Sequence, residues 1–122
     1  MAKKPRSRPS PAPKAVTAAR AARLYRLVRL LGTGPQPRER LIQRLRLDVR
    51  SFYRDLELVR AAGIAVWLQE GSYTLEEDAD TAIARLPFPD PRLTLGEARQ
   101  LAKGRGPAQQ KLKAQIDKIV RP

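Results

Sequence analysis

The 122-residue chain contains no cysteine and no histidine. The first absence excludes a disulfide framework and thiolate chemistry. Together the two remove the usual nitrogen and sulfur ligands of zinc, and the side chain most often used as a general base. No apolar run approaches the ~20 residues of a membrane-spanning helix, and the N-terminus lacks the apolar stretch of a secretory signal. There is also no glycine-rich phosphate loop. These absences argue against an enzyme, a bound cofactor, a small-molecule effector and a membrane partner, and they lead us to expect a cytoplasmic protein. Hydrophobic residues make up 42% of the chain, enough for a small core but not a large one.

Positive charge is what the chain has in excess. Its formal net charge is +13, from 25 lysines and arginines against 12 acids. Such an excess points to a polyanionic partner, nucleic acid before all others. The distribution is uneven. Residues 1–16 carry +5 and residues 17–63 carry +7, whereas residues 64–100 carry −4 and residues 101–122 carry +5. The block 17–63 is therefore expected to face the polyanion, with 64–100 turned away or serving as a connection.

Hydrophobic periodicity divides the chain further. Residues 1–16 are rich in proline, serine and cations and read as a disordered basic tail. Thr17 is placed to cap a first helix, in which Leu24, Leu27, Val28 and Leu31 form one apolar stripe. Arg20, Arg23, Arg26 and Arg29 recur every three residues and wind over the rest of its surface, where they are expected to hold a polyanion. Gly32-Thr33-Gly34-Pro35 ends it. A short second helix is predicted from about Pro37 to Leu45, with Leu41, Ile42 and Leu45 buried. Asp48 then caps a third helix from Val49 to about Ala62, with Phe52, Leu56 and Val59 inward and Gly63 at its end. Two β-prone runs, Ile64–Leu68 and Ser72–Leu75, flank Gln69-Glu70-Gly71 and predict a hairpin. Trp67 and Tyr73 are expected to pack within it.

The expected fold is thus mainly α with a small β-hairpin: a winged helix-turn-helix over 17–76, an acidic and proline-rich linker over 77–93, and a two-helix extension over 94–122. Thr94-Leu95-Gly96-Glu97 has the capping-box pattern that starts the first of those two helices. Ala108–Val120 is the second, with Leu112, Ile116 and Ile119 or Val120 as its stripe. These two helices are expected either to form a dimer contact or to fold back on the preceding unit.

In such a layout the third helix enters the major groove of duplex DNA. With Phe52, Leu56 and Val59 inward, Arg50, Tyr53, Arg54 and Glu57 point outward or sideways, and Val49 and Arg50 stand at the tip. Arg50 is the candidate for bidentate guanine recognition. Tyr53 is suited to a thymine methyl or a phosphate, and Arg54 and Ser51 to phosphates. Arg54 and Arg60 have an alternative in pairing with Asp55 or Glu57 at helical spacing. Arg38 and Arg46, at the two ends of the second helix, complete the expected DNA-contacting set together with Arg6 and Arg8 of the tail. Pro5-Arg6-Ser7-Arg8-Pro9 is similar to an AT-hook core, with serine in place of glycine. A basic arm that follows phosphates is the expected role. The wing tip offers Gln69, Glu70 and Gly71 and no cation, so it is not expected to read the minor groove.

Residues 23–75 resemble the winged helix-turn-helix of DeoR-type and WYL-domain transcription regulators. The resemblance is carried by Leu41-x-x-x-Leu45-x-Leu47, by Ser51-Phe52-Tyr53-Arg54-Asp55-Leu56, by Arg60-Ala61-Ala62-Gly63-Ile64, and by Gly71-Ser72-Tyr73-Thr74-Leu75. Asp48 stands where that family usually has serine. Residues 84–120, especially Leu93-Thr94-Leu95-Gly96-Glu97-Ala98, are similar to the helical connector of WYL regulators, and no WYL domain follows. The resemblance implies a nucleoid-associated, DNA-binding transcription regulator with a homodimer in prospect, and leaves open whether the missing WYL domain means loss of ligand control. Two other readings stay open: a nonspecific or architectural nucleic-acid binder, and a winged-helix protein-interaction adaptor.

Overall fold

In a computed structural model of the chain, residues 16–90 and 93–121 are described. The protein is mainly α-helical with a small antiparallel sheet. Its elements are α1 (Ala18–Gly32), β1 (Gln36–Pro37), α2 (Arg38–Leu45), α3 (Val49–Ala61), β2 (Val66–Gln69), β3 (Ser72–Leu75), α4 (Ala79–Ala84), α5 (Leu95–Leu101) and α6 (Pro107–Val120). No helix among the described residues is long and apolar enough to cross a membrane.

Helix α1 is the spine. The Thr17 side chain accepts a hydrogen bond from the Arg20 amide, so the first turn is capped as expected. Leu24, Leu27, Val28 and Leu31 are all buried. They meet Leu41 and Leu45 of α2, Phe52, Leu56 and Val59 of α3, and Ile116 and Ile119 of α6 in one continuous hydrophobic cluster. The two C-terminal helices therefore fold back on the preceding unit, with α6 packed along α1 and α5.

The sheet is larger than the expected hairpin. It has three strands in the order β1-β3-β2, because Gln36 and Pro37 pair with Tyr73 and Ser72. Pro37 accordingly ends a strand and caps α2, rather than sitting in the helix's first turn. The β2–β3 register sets Gln69 against Ser72, which leaves a two-residue turn of Glu70 and Gly71. Both have positive φ, 51° and 80°, the backbone a twisted hairpin favours. Glycine adopts it freely, whereas Glu70 holds it at a cost.

Of the stretch 77–93, the described residues 77–90 and 93 pack against the main cluster and do not form an open linker. Asp78 caps α4, and Ala82, Ile83, Leu86 and Phe88 are buried in the main cluster. Prolines at 87 and 89 suggested an extended connection, but the apolar residues beside them find the core. The Leu95 amide donates to the Leu86 carbonyl (2.8 Å), and Pro87 bridges Thr94. Close helix contact completes the attachment. A Cβ on Gly96 would lie 2.7 Å from the Ala84 carbonyl oxygen, so only glycine lets α5 approach α4 this closely. At the head of α5 the capping box is complete: Thr94 Oγ1 accepts from the Glu97 amide, and the Glu97 carboxylate accepts from the Thr94 amide.

Candidate nucleic-acid interface

Helix α3 has two faces of opposite character. Its buried face holds Phe52, Asp55, Leu56 and Val59, the i, i+3, i+4, i+7 positions of one helical stripe. The member out of keeping is Asp55, a fully buried carboxylate. Two guanidiniums of α1 hold it. Arg23 donates to both carboxylate oxygens, from Nε to Oδ2 and from Nη2 to Oδ1 (3.0 Å), and Arg20 Nε donates to Oδ1 (3.1 Å). The Arg23 pKa is raised above its ordinary value, chiefly by the hydrogen bond to Asp55. This cluster is a bolt between α1 and α3, since a buried charge is tolerated only when it is paired and hydrogen-bonded.

That finding corrects two expectations. Arg20 and Arg23 are not free to hold a polyanion. Asp55 is not an exposed partner for Arg54 or Arg60 at helical spacing. Arg60 instead donates to the Val66 carbonyl (2.9 Å). The other α1 arginines are also engaged. Arg26 donates to the Arg44 carbonyl (3.0 Å), while Arg29 meets Tyr25 and Asp80.

The outer face of α3 begins at a well-made N-terminus. The Asp48 carboxylate accepts from the Ser51 amide (2.7 Å), and the Ser51 hydroxyl also turns toward it. Both interactions, the amide first, hold the Asp48 pKa below the ordinary aspartate value. Ser51 thus sits partly buried beside its cap and stands apart from the outward groove. Val49, Arg50, Tyr53, Arg54 and Glu57 line that shallow groove together. A second shallow groove lies on the other side of Val49 and is lined by Pro37, Arg38, Glu39, Arg40, Ile42 and Gln43 as well. Among the described residues Arg50 and Arg54 make no hydrogen bond or ion pair. Their charges act only at longer range, on Asp48.

Arg38 joins the two grooves. Its Nη1 donates to the Tyr53 hydroxyl (3.1 Å), and its guanidinium also pairs with Glu39. The Arg38 bond, and then a hydrogen bond from Tyr73, lower the Tyr53 pKa, while burial raises that of Tyr73. Behind them Phe52 stacks edge-on with both Tyr53 and Tyr73, at ring-centre distances of 5.3 and 5.5 Å. Tyr73 is thus core, as expected of the hairpin. Trp67 is not, being 53% exposed. Its register partner Thr74 lies on the sheet face turned from the core, opposite the face that carries buried Val66 and Tyr73.

The structure therefore gathers Val49, Arg50, Tyr53 and Arg54 on one surface and ties Arg38 to it. Arg46 stands in the α2–α3 turn in a left-handed conformation (φ 56°), exposed, and lines neither groove. Arg6 and Arg8 lie outside the described residues. Sequence reasoning missed the role of Asp55 and the Arg38–Tyr53 link. A signal for the first was present, because position 55 falls inside the stripe defined by 52, 56 and 59. The second joins residues fifteen apart and has no local signature. Comparison with models of known families, with curated proteins and with solved structures finds no match to this chain.

Proposed function

We propose that the protein is a DNA-binding transcription regulator whose α2–α3 pair and hairpin act as a winged helix-turn-helix, with α3 reading the major groove. The observation that carries this reading is the division of α3 into a locked face and a free one. Asp55 fastens the helix to α1, while Arg50 and Arg54 project unpaired beside exposed Val49 and Tyr53. A helix that reads base edges has to protrude in a fixed orientation and offer donors and apolar groups at its N-terminal half. Arg50 is assigned to a guanine edge. Arg38, Arg54 and Arg46 are assigned to phosphates, which supply most of the affinity. The Ser51 hydroxyl, turned to Asp48, is given the lesser part.

The wing carries Glu70 at its tip and is assigned no groove contact. A nucleoid location follows from the same reading. A homodimer through the C-terminal helices has little support, because Ile116 and Ile119 are already buried within one chain.

Selection of binding sites from random duplex DNA at physiological salt tests the proposal. An enriched motif is expected, both for the full chain and for a version lacking residues 1–16. Binding without enrichment would instead favour the nonspecific, architectural reading. No binding to duplex or single strand at low salt would favour the protein-adaptor reading.

A further inference from the structure

Val49 and Tyr53 are an anomaly on the outer face of α3. Both are large and apolar, 48% and 43% exposed, and they lie one helical turn apart. A β-branched residue gains nothing from an exposed helix start, and neither side chain belongs to the core cluster. The Tyr53 hydroxyl is engaged internally by Arg38 and Tyr73. Both contacts use the hydroxyl as an acceptor and fix the ring in place, so the exposed ring face stands in the groove with only the hydroxyl's own proton beside it. The result is a narrow apolar strip bordered by Arg38, Arg50 and Arg54, with Glu57 in the same groove and Glu39 paired to Arg38.

We infer that this strip is a thymine-specificity element, in which Val49 and the Tyr53 ring pack against the 5-methyl groups of thymines in the major groove. The inference rests on the DNA-binding reading above. Its border holds two unpaired arginines, Arg50 and Arg54, and suits a polyanion despite Glu57, whereas the centre of a protein-binding surface is depleted of charge. Of the groups at the floor of the major groove, the thymine methyl is the apolar one. Spacing sets the register. Four residues of α-helix advance about 6 Å, and base pairs follow one another at about 3.4 Å. The two contacts therefore fall within about two base-pair steps, next to the base that Arg50 reads.

The test is a cycle between protein and DNA on a duplex recovered by selection. Each thymine is replaced in turn by deoxyuridine, which removes the methyl group and keeps every hydrogen-bonding group. Wild-type affinity should fall about three- to tenfold at one or two positions, the effect of burying a methyl group. Val49→Ala should bind the thymine duplex with correspondingly lower affinity and lose the penalty at one of those positions. Tyr53→Ala should lose it at another, within two steps. Val49→Ala introduces a better helix former at an exposed site, and circular dichroism verifies its fold.

Specific binding with less than a twofold effect at every thymine would overturn this inference and leave the DNA-binding reading intact. A penalty that both variants retain in full would also overturn it. Failure to bind any duplex would overturn both.

Discussion

Helices α1 and α3 both carry arginines spaced along an exposed-looking sequence, and they use them in opposite ways. On α1, Arg20 and Arg23 are directed inward to a carboxylate with no solvent exposure, and their own side chains are 32% and 29% exposed. On α3, Arg50 and Arg54 are unpaired and lie along a groove. The same residue type thus serves cohesion in one helix and is left available in the other. The difference arises from the partner element. An acid within the apolar stripe of α3 draws the α1 arginines in, and no acid does this for α3's outer face. Charge counted along a sequence measures potential for polyanion binding only after the internally neutralised groups are set aside.

This contrast predicts mutational effects of opposite kinds. The largest concerns the buried side. Asp55→Ala should destabilise the fold by about 3–5 kcal/mol, because it leaves two partly buried guanidiniums without their counter-charge. Urea denaturation measures this, and a loss under 1 kcal/mol would show that the cluster is not a structural bolt. On the exposed side, Arg50→Ala should leave stability within about 0.5 kcal/mol of wild type. It should weaken binding to the selected site by about 1–3 kcal/mol and relax specificity at one base. An equal loss of stability would erase the distinction between the two helices.

A smaller effect sharpens the comparison at the start of α3. Asp48 has its folded-state pKa lowered by the Ser51 amide and hydroxyl. Its capping contribution is therefore fully present above the ordinary aspartate pKa of about 3.9. It is lost as pH falls through the depressed value. Asp48→Asn should retain much of the cap and flatten that part of the acid-denaturation profile; an unchanged profile would mean that the carboxylate's charge is irrelevant there. Smallest of all, Glu70→Asn should stabilise the protein by about 0.5–1 kcal/mol, since asparagine tolerates the positive φ that this turn imposes. Thermal melting should show a rise in Tm, and a fall would contradict the assigned turn.

Much of this architecture can be read from the chain, and the exceptions share a cause. The stripe Leu24, Leu27, Val28 and Leu31 marks α1, Asp48 and Gly63 bracket α3, and Thr94 with Glu97 announces α5. All are signals carried within one or two helical turns. What escapes is long-range. Strand β1 is two residues long, one of them proline, and exists only because β3 is beside it. The core role of Leu86 and Phe88 is masked by the prolines next to them. Asp55 falls inside the apolar stripe of α3, but what makes its burial possible, Arg20 and Arg23 more than thirty residues earlier, has no local signature. At the candidate site the identities of the outward residues follow from periodicity, but their preorganisation does not. Arg38, Tyr53 and Tyr73 come from three separate elements.

The exposed Trp67 has a practical consequence. It is the only tryptophan in the chain, so intrinsic indole fluorescence reports the solvent side of the hairpin and not the interior. Its emission should be water-like in the native protein and change little in wavelength on denaturation, while Tyr73 and the two phenylalanines lose their environment unseen. The same property makes it a clean optical probe of docking. A blue shift or a loss of iodide quenching would signal that something has come to rest against the hairpin, with almost no background from the rest of the molecule.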